Sequence, residues 1–200
     1  MEYPYKERAE VKKIVMDLST LFRSVAKTMF PEAKIVADKF HVIKVVINSL
    51  ENVRKRIQKE FHSTKRKWFK RSRYLLLKPE YKLTSEDKIE LARMLNSSYD
   101  LEKAYVLKER FYEVFRKQTR TEAKKELGNW LLLAADLSLP EFRHCITTFS
   151  NWKTEIANII DERVSNGFVE GSNNKIKVLK RISYGVRNFD RFRNRILYLE

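Results

Sequence analysis

Apolar residues along this chain fall into two short β-branched runs followed by a long series of helical stripes. Val11 to Met16 is the first run and ends on Asp17; Ala33 to Ala37 is the second and ends on Asp38. Between them Leu21, Phe22, Val25 and Met29 recur at helical spacing, predicting a helix over Leu18 to Phe30 that Pro31 terminates. Strand, helix and strand in so short a span predict a parallel pair with a crossover. Each strand then delivers an acid at its C-terminal end, where open α/β sheets place their ligands.

From Phe40 the period is helical throughout. Val42, Val46, Leu50, Val53, Ile57 and Phe61 mark one stripe, and the opposite side carries Lys44, Arg54, Lys55, Arg56 and Lys59. Thr84-Ser85-Glu86-Asp87 reads as a helix start, with acids in the first turn. Further helices are predicted through Leu101 to Phe115 and through Ala123, Leu127, Trp130 and Ala134. One more runs from Ser138 and Pro140 through Phe142, Phe149, Trp152 and Ile156 to Ile160. The expected fold class is mainly α with a small β component, its sheet short and incomplete.

A different signal appears late in the chain. Three of the four glycines, Gly167, Gly171 and Gly185, lie in or just after the stretch Asn166 to Lys177. A helix is predicted after Gly171, with Ile176, Leu179 and Ile182 as its apolar stripe. Glu170, Asn173 or Asn174, Lys177 and Arg181 then share one face. An acid, an amide and two bases in line suit a site for a metal and a phosphodiester; a capped helix with a solvated polar face explains the pattern equally well.

Charge narrows the partner. The chain carries 42 Lys and Arg against 26 Asp and Glu, a net +16, with a pI near 9.9. Self-repulsion of that size points to a polyanion, nucleic acid first. The most basic segment, Lys65-Arg66-Lys67-Trp68-Phe69-Lys70-Arg71-Ser72-Arg73-Tyr74, interleaves bases with aromatic rings. That suits backbone neutralisation with base stacking, or a solvated loop whose Trp68 and Phe69 anchor it to the core. The single cysteine, Cys145, reads as a small buried hydrophobe in a reducing compartment. No apolar run reaches membrane-spanning length, so a cytoplasmic location is expected.

Asp17, Asp38 and Glu170 are the acids that stand at strand ends or beside glycines. Convergent carboxylates of this kind can hold paired Mg²⁺ (or Mn²⁺) ions for phosphodiester chemistry, although an Asp at a strand end more often caps a helix or pairs with a base.

Three ordered motifs carry a resemblance: Asp38-Lys39-Phe40-His41-Val42, the Asn166–Lys177 stretch, and Arg181-Ile182-Ser183-Tyr184-Gly185-Val186-Arg187-Asn188-Phe189. With Leu77-Lys78-Pro79, Ala104 to Phe111 and Trp152 to Ile156, they resemble bacterial insertion-sequence transposases of the DDE class, ISL-three type, across essentially the whole chain. The resemblance implies part of a ribonuclease-H-like core, interrupted by a large helical insertion. Residues 1–43 would be the last two strands and their crossover helix, 44–163 the insertion, and 164–200 a helical region carrying the catalytic Glu170. The second catalytic Asp is Asp17 by strand order, or Asp38, which His41 accompanies in the motif. Asn173 and Asn174 would support the site. Lys65, Arg66, Lys67, Trp68, Lys70, Arg71, Arg73, Lys175, Lys177, Arg181 and Arg187 would contact double-stranded DNA at transposon ends and target, and a second copy of the chain is a further expected partner. The family's zinc-binding region and first catalytic Asp have no counterpart in these 200 residues. The resemblance is therefore to the C-terminal half of a transposase, expected to be inactive alone. The competing reading is a non-catalytic basic helical DNA-binding protein.

Overall fold

The computed structural model describes residues 4–162 and 167–198, with backbone only for 167–170. The chain forms two compact units, Met1–Arg163 and Val164–Glu200.

A short helix, α1 (Tyr5–Ala9), leads into β1 (Lys13–Met16), α2 (Thr20–Met29) and β2 (Lys34–Ala37). The two strands pair in parallel, Lys13 against Lys34 through Met16 against Ala37, so α2 is the crossover. Ser19 caps α2 by accepting from Phe22 N–H at 3.3 Å, and the helix stops before Pro31, whose ring disfavours helical geometry at Phe30. Both strands are a residue or two shorter than the apolar runs suggested, and α2 likewise starts at Thr20 rather than Leu18.

The 20-residue α3 (Lys39–Gln58) follows directly, about 30 Å long. Val42, Val46, Leu50, Val53 and Ile57 line its buried face at i, i+3 and i+4. Around it lie α4 (Ser63–Arg71), α5 (Arg73–Leu77), α6 (Ser85–Leu95), α7 (Tyr99–Tyr112), α8 (Arg120–Asp136), α9 (Arg143–Asn151) and α10 (Lys153–Glu162). Capping boxes at Thr84 with Asp87 and at Thr119 with Glu122 start α6 and α8. The core centres on Phe111, Trp130 and Phe149, whose ring centroids lie 5.0 to 5.6 Å apart. The Trp130 indole N–H donates to Leu107 C=O at 2.8 Å, so the ring is buried without an orphaned donor.

The single helix expected from Ser138 to Ile160 is two. A 3₁₀ turn at Pro140–Phe142 precedes α9, and Trp152 (φ −113°, ψ 16°) separates α9 from α10. The break turns the Trp152 ring into the core, with the Arg23 guanidinium 4.2 Å from its centroid, and re-aims α10 along β2. There Asn158 Nδ2 donates to Ile35 C=O at 2.7 Å, satisfying an edge carbonyl that β1 cannot reach. The spacing of Phe149, Trp152 and Ile156 stays helical through the break, so apolar periodicity passes over it.

Cys145 is fully buried, as expected, its Sγ 3.2 Å from Ser49 Oγ; burial pushes the thiol up to about 11. The second unit is α11 (Gly167–Ile182) and α12 (Phe189–Leu197). Helix α11 begins at Gly167, five residues earlier than expected. Gly171 is inside it, at a position where an added Cβ meets no atom within 4 Å. Tyr184 and Gly185, both at positive φ, end the helix, and Asn188 caps α12 through Arg191 N–H at 3.0 Å.

Candidate metal centre and nucleic-acid interface

Parallel register decides the geometry here. Met16 pairs with Ala37, so the next residues, Asp17 and Asp38, leave the two strands side by side; Asp38 N–H still donates to Met16 C=O at 2.7 Å. Asp38 is also the N-cap of α3, its Oδ1 accepting from Phe40 N–H at 3.0 Å. His41 then sits at the third position of the helix, from which a side chain folds back toward the cap. Its Nδ1 lies 2.8 Å from Asp38 Oδ2 and 3.0 Å from Asp17 Oδ1. One ligand atom from each residue falls within 4.8 Å of the others.

The two acids are not equivalent. Asp38 is 3% exposed and both its oxygens are engaged, whereas the Asp17 side chain is 53% exposed. The two carboxylates, one side open, are oxygen donors of the kind that hard divalent cations accept. The Phe40 ring stands edge-on to His41 at 5.6 Å and is itself exposed.

The basic segment Lys65–Tyr74 is helix α4 and the start of α5, not a loop. Phe69 is fully buried and packs edge-on against Phe61 at 5.0 Å. Trp68 is half-buried and its indole N–H donates to Glu90. Phe69 thus anchors α4 to the body, and Trp68 bridges it to α6 through Glu90. Lys65 Nζ lies 4.1 Å over the Phe61 ring, and Arg73 is 3.8 Å from Glu51. Arg66, Lys67, Lys70 and Arg71 are exposed.

The basic side of α3 is also divided. Arg54 is buried against Glu51 and Gln58, and Arg56 bonds Glu141 at 2.7 Å and Asp100 at 2.9 Å, which holds its guanidinium well above its ordinary value. Lys55 and Lys59, in no site predicted from the sequence, stay exposed beside α4. Their signal was the i, i+4 spacing.

On the second unit, Asn173, Asn174, Lys175, Lys177 and Arg181 are exposed along α11, and Arg187 is exposed in the connection to α12. Glu170 lies on the backbone of α11, but its side chain is outside the described residues.

A strand-end acid pair thus stands on a strongly basic, mainly helical chain. The sequence pattern of the ISL3-type DDE transposases matches residues 1–196, and the chain belongs to that transposase family. It is 26% identical over 203 residues to a transposase for insertion sequence element IS1557 from Mycobacterium tuberculosis, covering 90% of this chain and 46% of that protein. It is 25% identical over 185 residues to a transposase for insertion sequence element IS1001 from Bordetella parapertussis, covering 91% and 46%. A Lactococcus lactis protein named ATP-dependent protease is 36% identical over 94 residues, 46% of this chain and 26% of its own length. The chain thus spans about half the length of the two transposases. No solved structure gives a significant match. Among the described residues, no helix is long and apolar enough to cross a membrane.

Proposed function

We propose that this chain contributes Asp17 to the metal centre of a DDE transposase, with Asp38 and His41 holding it in place, and that Glu170 is the family's catalytic Glu. The observation that carries the proposal is the convergence of Asp17, Asp38 and His41 at the C-terminal ends of two parallel strands. Asp17 is the better metal ligand because it is the more exposed acid, and Asp38 already spends its oxygens on the helix cap and His41. A bound Mg²⁺ or Mn²⁺ pair would supply charge stabilisation for cutting and rejoining phosphodiesters in DNA. The Nδ1–H tautomer of His41 donates to both acids and keeps two like charges together. The βαβ unit, 1–43, is then part of a ribonuclease-H-like core, 44–163 its helical insertion, and 164–200 the region carrying the catalytic Glu.

Lys175, Lys177, Arg181 and Arg187 would neutralise the DNA backbone near Glu170. Two carboxylates from one chain bind Mg²⁺ weakly, so a polypeptide of these 200 residues is expected neither to cut nor to join DNA. In a longer protein that adds a third acid, Glu170→Gln should abolish cleavage while binding survives.

The test is titration of the chain with Mn²⁺, read by electron paramagnetic resonance. Weak, saturable binding is expected, lost in Asp17→Asn. Equal binding by wild type, Asp17→Asn and Asp38→Asn would refute the centre and favour a non-catalytic DNA-binding role.

A further inference from the structure

The C-terminal end of α3 and helix α4 line an open groove of about 670 Å³. Exposed Lys55 and Lys59 line it from α3, and exposed Arg66, Lys67 and Lys70 line it from α4. Among the described residues no carboxylate lines it. None of these five bases forms an ion pair there, whereas Arg54, Arg56 and Arg73 nearby are all neutralised by Glu or Asp. Five unpaired cations facing one trough repel one another, a cost that an anionic occupant removes.

The spacing suggests which anion. Lys55 and Lys59 are four residues apart on one helix, about 6 Å along its axis, as are Arg66 and Lys70. A nucleic-acid strand advances about 3.4 Å per phosphate, so each pair matches phosphates one or two nucleotides apart. Phe61 forms an apolar floor and Ser63 adds a hydroxyl beside an α4 N-terminus that has no side-chain cap.

We infer that this groove binds the phosphodiester backbone of one DNA strand, a contact separate from the acid centre at the other end of α3. The inference deepens the DNA-binding part of the proposed function and rests on it for the choice of DNA among polyanions. It also selects within the basic segment: Arg66, Lys67 and Lys70 contact DNA together with Lys55 and Lys59, whereas Lys65, Trp68 and Arg73 are engaged by the protein itself.

The experiment measures anisotropy of a labelled DNA duplex across a salt series, with Lys55→Gln/Lys59→Gln, Arg66→Gln/Lys67→Gln/Lys70→Gln, and a control, Lys88→Gln/Lys124→Gln, at exposed sites outside the groove. Each phosphate contact contributes about 0.9 to the slope of log affinity against log salt. The slope should become shallower by about 2 in the double variant and about 3 in the triple, and stay unchanged in the control. If the triple variant melts early, the double variant decides alone. Equal losses in control and groove variants, or an unchanged slope in the groove variants, would overturn the inference. So would binding to anionic phospholipid vesicles that depends on these residues while DNA binding does not. Mn²⁺ titration of the same variants separates the two readings, because groove changes should leave the Asp17 centre intact and Asp17→Asn should leave the salt slope intact.

Discussion

Replacing Asp38 with alanine removes a helix cap and the acceptor that fixes His41 in one step. The cap on Phe40 N–H, at 3.0 Å, is worth about 1 kcal/mol, within a range of roughly 0.5–2. The buried carboxylate's bond to His41 Nδ1, at 2.8 Å, adds about 1.5–3 kcal/mol when charged. The expected loss is about 2–5 kcal/mol, which for a unit of this size lowers the melting temperature by roughly 4–20 °C. Asp38→Asn keeps an oxygen acceptor at the cap and should recover only the roughly 1 kcal/mol that the cap contributes. Asp17→Ala, at a half-exposed side chain, should change stability by no more than about 0.5 kcal/mol. Calorimetry on the three variants, with Mn²⁺ titration on the same samples, separates a folding role from a ligand role. Asp17 should lose metal and keep stability; Asp38→Ala should lose both. An Asp38→Ala protein melting within a degree of wild type would refute the capping argument. An Asp17→Ala protein that melts far below wild type would show that the acid is structural.

Three further outcomes follow from the packing. Lys13 and then Lys34 hold the Glu162 carboxyl below its ordinary value, through contacts at 2.5 and 2.8 Å. A depressed carboxyl contributes stability above its ordinary value near 4.5 and loses it as pH falls through the lower folded value. Melting curves of wild type and Glu162→Gln should therefore differ at pH 7 and converge toward pH 3, and a gap that persists at pH 3 would refute the assignment. Lys108 is buried, its Nζ donating to Leu76 C=O and Lys78 C=O at 2.8 Å each and pairing with Glu109. Burial lowers its basicity, yet Lys108→Met should still cost about 2–4 kcal/mol in a urea melt, since two carbonyls and a carboxylate lose their partner; a neutral substitution would mean water replaces the ammonium there. Phe69→Ala should destabilise by about 3–5 kcal/mol with the DNA salt slope unchanged, because the ring is core; a lost slope at unchanged stability would restore a stacking role.

The chain's local codes settle much of this molecule. Two β-branched runs, Pro31 and the helical stripe from Val42 to Ile57 specify a strand, helix, strand, long-helix order, because period and chain breakers act within a few residues of one another. The acids at the strand ends were legible for the same reason, and so was His41, three residues after its cap. What periodicity missed was a one-residue break at Trp152 and an early start to α11 at Gly167, since neither disturbs the apolar spacing. Only tertiary structure decided which bases are free. Lys55 and Arg56 are neighbours in sequence with identical charge, yet Arg56 meets Glu141 from 85 residues away and Lys55 faces a groove. Likewise Trp68 and Phe69 suit either base stacking or core anchoring in sequence, and it is the fold that sets Glu90 against Trp68 and Phe61 against Phe69. Charge and aromaticity belong to the residue; whether they are available to a partner depends on which distant segment has already taken them.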